Sequence, residues 1–380
     1  MAFFGKGNGK GNGKGNGKGN GKGNGKGNGK GNGHPDDHPG GESSPMLSDA
    51  LAAVHDGLVG FWDGEPCALP AERLGSADDD DISYLTPALR GDLLDSLLAA
   101  RFRVAGPSEP GGAVAALGRD DETLLTLAAP APAYFQRQLV FLRAYADLRV
   151  DRLDEIGVQI DDIQSFFGLV GMMNESRRHH SMELLAAVIR LAIHVEMPLK
   201  HYCRAPRPID YSDRVMPPIQ TPDHSSFPSG HAIESFAAAT VLDRLCRGRA
   251  YPAPDQPLQS LPYQIAHRIA VNRTIAGVHF PVDSLAGALI GCRLGDEIWR
   301  LAHGLTPLAE TALSRDEDGL LLHFGAAKLQ AEDDFTLETL AQCIGDPAAR
   351  TDAAAQPVGI LGRFWANAAA EWQSTAQARS

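Results

Sequence analysis

"SMELLAAVIRLAIHVEMPLKHYC" runs from Ser181 to Cys203 with almost no polar face. Apolar positions recurring every three to four residues predict a helix, and one that is apolar nearly all round belongs in the middle of a bundle. Its neighbours read the same way. Upstream, "YFQRQLVFLRAYADLRVDRL" (134–153) and "DDIQSFFGLVGMMNES" (161–176) carry helical periodicity. Downstream, "HAIESFAAATVLDRLC" (231–246) and "PVDSLAGALIGCRLGDEIWRLA" (281–302) are two further apolar helices. Alternating strand patterns are nearly absent, so the expected fold is all-α, a helical bundle.

Residues 128–305 are expected to form this bundle. Residues 46–127 read as shorter amphipathic pieces such as "ALRGDLLDSLLAARF" (88–102), a helical region that precedes the bundle. Residues 306–380 read as a helical extension with charged faces that braces the bundle or a homo-oligomeric contact. Residues 1–45 differ in kind. There the unit "GKGN" repeats seven times from Gly5 to Asn32. Alternating glycine is costly to order and offers no apolar surface in return, so this arm is expected to be disordered. Its lysines lack the glycine spacing and the following serine or threonine of a phosphate loop.

The net charge of −12 includes +7 from the arm's lysines, so residues 34–380 carry −19. An acidic body argues against nucleic acid or an anionic membrane as the main partner. Five cysteines lie far apart, in an odd number and with no C-x-x-C pair, so neither a disulfide framework nor a zinc site is suggested. "MAFF" is too short for the apolar part of a signal peptide, and no uncharged apolar run reaches the roughly 18 residues that span a bilayer. The expectation is a soluble protein, cytoplasmic by default, that acts on a small molecule.

Three segments carry chemistry. Outside the arm the chain uses arginine almost exclusively, and only Lys200 and Lys328 remain as lysines. Lys200 stands near the end of the apolar helix. In "HYCRAPRP" (201–208), Pro206 and Pro208 then forbid helix continuation and bend the chain, so Arg207 can swing back toward Lys200. The second segment is "FPSGHA" (227–232). Ser229 can cap the helix that follows, Gly230 lets a ligand approach the backbone, and the helix start at His231 presents free N–H groups that bind an oxyanion. The third is "NRTIAGVHFPVDS" (272–284). Asp283 lies four residues after His279, so on a helix it could accept a bond from one ring nitrogen and aim the other into the site.

Together these segments offer three cations, a helix N-terminus, an oriented histidine at His279 and a second histidine at His231 that can give or take a proton. That inventory suits a tetrahedral oxyanion. Each cation about 4 Å from an anionic oxygen contributes roughly 4 kcal/mol at an effective dielectric near 20, before desolvation.

In these three segments the chain resembles the superfamily of type 2 phosphatidic acid phosphatases, bacterial acid phosphatases and vanadium-dependent haloperoxidases. The matches fall at Lys200–Pro208, Pro228–His231 and Arg273–Asp283 and span about 85 residues. The resemblance implies that superfamily's helical bundle. It implies that Lys200, Arg207, Ser229, Gly230 and Arg273 hold phosphate or vanadate oxygens, that His279 bonds to phosphorus or vanadium, that His231 is the acid-base group and that Asp283 orients His279. Asn272 departs from the pattern, since members commonly have serine there.

Two activities are compatible with that site. One is vanadate-dependent halide oxidation by hydrogen peroxide, with vanadate as cofactor on His279, Lys200 polarising the peroxide and bromide the favoured halide. The other is acid-phosphatase hydrolysis of phosphomonoesters through a phosphohistidine, with no cofactor. The absence of a membrane span, the long helical region before the motifs and His224 tilt the reading toward the haloperoxidase. His224 lies seven residues before His231, where bromide-oxidising members resemble this chain in placing a histidine.

Overall fold

The computed structural model describes residues 45–58, 64–65, 78–107, 114–174, 176–246, 258–325, 327–344 and 355–377. The arm expected over 1–45 lies outside them except for Pro45. The chain divides into two units, 1–94 and 95–380. In the first, helix α1 (Pro45–Leu58) buries none of its residues. Helix α2 (Pro87–Ala99) runs across the boundary between the units.

The second unit holds the remaining helices: α3 (Pro132–Tyr145), α4 (Arg149–Val158), α5 (Gln164–Phe167), α6 (His179–Cys203), α7 (Pro208–Tyr211), α8 (Gly230–Cys246), α9 (Leu261–Ile275), α10 (Pro281–Ala302), α11 (Leu337–Ile344) and α12 (Gly359–Gln377). Proline opens α3, α7 and α10. Its missing N–H has no partner to lose in a first helical turn, and its fixed φ suits one.

The expectation of an all-α fold is wrong. Strands β1 (Phe102–Ala105), β2 (Ala115–Arg119), β3 (Glu122–Leu127), β4 (Thr311–Arg315), β5 (Leu322–Phe324) and β6 (Ala327–Leu329) form one six-stranded sheet in that order. All neighbours are antiparallel except β3 and β4, which run parallel with Leu125 opposite Thr311. Residues 102–127 and 311–329, expected to be helical, thus contribute strands. They are short, three to six residues each. A strand so short gives little periodicity to read, and its hydrogen bonds are completed by a segment far away in sequence.

The bundle centre also differs from expectation. In α6, Ile193 and Met197 are exposed, so that helix faces outward along one side. The helices buried almost all round are α8 and α10, and in α10 only Trp299 and Leu301 are not fully buried. Three glycines one turn apart make their contact close. A Cβ added at Gly287 would overlap the Ser229 carbonyl oxygen, one at Gly291 would lie 2.5 Å from that of Ile233, and one at Gly295 2.6 Å from Thr240 Cβ. The two backbones therefore touch along this stripe.

The sheet is tied to α10 by a buried ion pair. Arg119 Nη1 donates to Glu297 Oε2 at 2.6 Å, and Arg119 Nη2 donates to the Leu305 carbonyl at 2.6 Å. Among the described residues, no helix is long and apolar enough to cross a membrane.

Candidate functional site

The starts of α8 and α10 meet. The Ser229 N–H donates to the Asp283 carbonyl at 2.9 Å, which fixes the loop Phe227–Ser229 against the first turn of α10. Asp283 is the third residue of that helix. Its Oδ2 accepts from the Phe280 N–H at 2.8 Å and from the Ser226 hydroxyl, and it stands 3.2 Å from His279 Nδ1. His279 precedes the helix, so the expected geometry of one shared helical face is replaced. The cap itself carries the His279–Asp283 pairing.

That pairing sets the imidazole. A proton on Nδ1 serves the carboxylate, which leaves the lone pair on Nε2. Arg207 Nη1 lies 3.2 Å from this Nε2 and can only donate to it. Burial, then Arg207 and Lys200, hold the His279 pKa well below its usual range, so the ring is neutral. Burial raises Asp283 to about 6, opposed by the bonds from Ser226 and Phe280.

Lys200, Arg207 and Arg273 all lie near enough to His231 and His279 to act on their charge. Lys200 is buried at the end of α6 and donates to the carbonyls of Pro228 at 2.7 Å and Ser225 at 3.2 Å. Burial brings it down to about 8. Arg207 also donates to the Val278 carbonyl at 2.8 Å. Arg273, near the end of α9, reaches the opposite wall. Its Nη2 donates to the Ile156 carbonyl and to Gln159 Oε1, both at 3.1 Å, and its Nη1 lies 3.5 Å from His231 Nε2. His231 Nε2 bonds the Gln159 carbonyl at 2.8 Å. A carbonyl only accepts, so the proton sits on Nε2. Burial, then Arg273, lower His231 to about 3.

His224 is brought to the same place. Arg207 Nε donates to its carbonyl at 3.0 Å, and His224 Nδ1 lies 3.1 Å from Arg207 Nη2 and 3.3 Å from the Ser225 carbonyl. Burial, then Lys200 and Arg207, lower His224 to about 4.

Ser229 and Gly230 form the floor. The Ser229 hydroxyl is buried with no hydrogen-bond partner, as is Arg273 Nε. A Cβ at Gly230 would fall on top of the Glu196 carboxylate, so a larger residue there would have to displace that buried side chain. Glu196 sits one turn before Lys200, a charged residue in an apolar helix, and that anomaly is visible in the sequence. Motif reasoning also passes over Glu234, Ser225, Ser226, Glu155 and Gln159. Ser225 ties the loops together: its hydroxyl accepts from the Ala205 N–H and donates to the Phe227 carbonyl, both at 2.9 Å.

Burial raises Glu196, and burial with Glu196 beside it raises Glu234 to about 8. A carboxyl whose folded pKa is raised contributes stability that is present in full below its ordinary pKa and is lost as pH rises through the folded value. Glu234→Gln is therefore expected to melt with the parent at pH 5 and above it at pH 9. Thermal unfolding at the two pH values checks this, and a variant less stable at pH 9 counts against it.

Residues 182–306 match the PAP2 superfamily. The chain is 30% identical to decaprenylphosphoryl-5-phosphoribose phosphatase of Mycobacterium tuberculosis, over 33% of this chain and 64% of that protein. It is 32% identical to the vanadium-dependent bromoperoxidase of Ascophyllum nodosum, over 19% of this chain and 16% of that protein. The chain thus spans less than two thirds of the length of either relative. Lys200, Arg207, Ser229, Gly230, His231, Arg273, His279 and Asp283 all fall within residues 182–306, the stretch that matches the PAP2 superfamily.

Proposed function

We propose that this domain is a phosphatase that hydrolyses phosphomonoesters through a phosphohistidine on His279. The observation that supports the reading is the convergence of Lys200, Arg207 and Arg273 on the Ser229–Gly230 floor, with the Nε2 lone pair of a neutral, carboxylate-oriented histidine beside Arg207. The chain's own side chains suffice for this reaction. Of the two relatives above, the one matched over the larger share of both chains is a phosphatase.

In the first step the phosphate oxygens take over the donors of Arg207, exposing His279 Nε2. Nε2 attacks phosphorus, the bond to the leaving oxygen breaks, and His231 supplies the proton that oxygen needs. An anion in the cradle offsets the push that holds His231 at about 3. In the second step His231 accepts a proton from water as the water oxygen attacks phosphorus, and His279 leaves as neutral imidazole. The cations stabilise the charge that builds on the oxygens in both steps.

His224 favours a second reading, vanadate-dependent halide oxidation, because it places an imidazole against Arg207 at the site. The unpaired Ser229 hydroxyl and Arg273 Nε fit a tetrahedral vanadate as well as a phosphate. Lys200, Arg207, Ser229, Gly230 and Arg273 would hold its oxygens and His279 its vanadium. When bound, vanadate supplies the activation of hydrogen peroxide that halide oxidation requires.

Parallel assays separate the two. Purified protein is given p-nitrophenyl phosphate without vanadate, and separately orthovanadate, peroxide, bromide and a brominatable dye. Hydrolysis without bromination is the expected result. Bromination without hydrolysis would replace the first reading by the second. Arg273→Ala is expected to weaken binding of phosphate by about 1 to 3 kcal/mol, the cost of a lost charged hydrogen bond, or roughly 5- to 150-fold. Titration calorimetry checks it.

A further inference from the structure

Gln159 belongs to none of the three motifs, yet it touches two of the residues assigned to the site. It caps the end of α4 and is 1% exposed. Its backbone carbonyl bonds His231 Nε2 at 2.8 Å. Its side-chain oxygen Oε1 accepts from Arg273 Nη2 at 3.1 Å and from Asn272 Nδ2 at 3.0 Å.

Both of those partners are donors only, so the orientation of the carboxamide is fixed: oxygen toward Arg273 and Asn272, NH2 away from them. That NH2 is buried and has no hydrogen-bond partner. An unpaired buried donor loses its hydration without a replacement bond, and a native structure rarely keeps one without a reason. Two other unpaired buried donors belong to the same site, the Ser229 hydroxyl and Arg273 Nε. The acceptors Asp283 Oδ1 and Glu196 Oε2 are unpaired there too, but Gln159 Nε2 and Arg273 Nε are unpaired donors on two side chains bonded to each other, so together they can serve one added acceptor.

Asn272 supports the same conclusion. Its Nδ2 donates to Gln159 Oε1 and also to Glu155 Oε2 at 3.1 Å, while Glu155 is held by Arg268 through bonds of 2.8 and 2.5 Å. A chain of donors and acceptors from Arg268 through Glu155 and Asn272 thus holds the Gln159 carboxamide in one orientation.

We propose that Gln159 is a further anion-binding residue of this site: Arg273 and Asn272 anchor its carboxamide oxygen, and its NH2 donates to an oxygen of the bound tetrahedral anion. The proposal rests on the oxyanion reading of the cradle. Gln159 reads the anion alongside Arg273 from the α4 wall, across from the Lys200 and Arg207 side.

Tungstate is the probe, a tetrahedral dianion that needs no turnover to be detected. Calorimetric titration of the wild-type chain and of Gln159→Leu at pH 7.5 is expected to show affinity reduced about tenfold in the variant, one charge-assisted hydrogen bond. A crystal structure of the wild-type chain with tungstate, which requires no variant to fold, is expected to place Gln159 Nε2 within about 3.2 Å of a tungstate oxygen. Binding by Gln159→Leu within twofold of wild type, or a bound tungstate whose oxygens all lie beyond about 3.5 Å from Nε2, overturns the proposal and leaves the cradle intact. Failure of the wild-type chain itself to bind tungstate overturns the oxyanion reading, and the proposal with it.

Discussion

His279→Ala is expected to lower p-nitrophenyl phosphate turnover by about 10⁴-fold or more, the loss typical when a nucleophile is removed from a unit that acts together. Among the described residues, the site's other two imidazoles are each engaged elsewhere. His231 directs its Nε2 at the Gln159 carbonyl, and His224 Nδ1 is engaged by Arg207. The oxyanion cradle survives the change, because Lys200, Arg207 and Arg273 are held by carbonyls of Pro228, Val278 and Ile156. Tungstate affinity should therefore fall far less than turnover. That split separates a lost nucleophile from a collapsed site, which would lose both together. Near-parent turnover in the variant would remove His279 from the reaction.

The second large effect concerns folding. Gly291→Leu is expected to yield no folded protein, and Gly291→Ala to cost about 3 kcal/mol, the upper range for overpacking a tight core. Even the alanine Cβ would lie 2.5 Å from the Ile233 carbonyl oxygen and 2.9 Å from the Ala237 nitrogen. Those are backbone atoms of a buried helix, which no rotamer change can move. Gly57→Ala on α1 is the control. A Cβ there meets nothing within 4 Å, so alanine should leave stability unchanged or raise it slightly. Circular dichroism with denaturant titration compares the three. A Gly291→Leu chain that unfolds at the parent's midpoint would show that α8 and α10 do not need this contact.

What the sequence discloses depends on how local the information is. The cradle is legible because its parts announce themselves over a few residues: a rare lysine at a helix end, prolines that force the turn before Arg207, Pro228-Ser229-Gly230 before a helix, and a proline-initiated helix with Asp283 at its third position. The partners that complete it are not. Gln159 looks like one polar residue among several in "GVQIDD", and only tertiary packing buries it. Glu196 stands out as a charge in an apolar helix, but its contact with Gly230 joins separate segments.

The sheet escapes a reading of the sequence for the same reason. "ETLLTL" in β3 has two adjacent buried leucines, Leu124 and Leu125, which breaks the alternation that marks a strand. Its parallel partner is Thr311–Leu313, and no local signal announces a pairing at such separation. The bundle centre is misplaced because α6 looks uniformly apolar. The three glycines one turn apart are what put α10 at the centre, and their meaning depends on a partner helix that only the fold supplies.

The backbone-to-backbone seam between α8 and α10 has a consequence for how the cradle adjusts. One end of it carries Ser229, Gly230 and Asp283, stitched by the Ser229–Asp283 bond. Sliding either helix would drive main-chain atoms into one another, so this flank cannot yield. On the α4 side, Arg273 and His231 bond the end of the helix through side chains, beside a buried apolar cluster of Ile156, Ile275, Ala276 and Val278. Adjustment of the cradle on binding is therefore expected in these side-chain bonds to α4 and not along the seam.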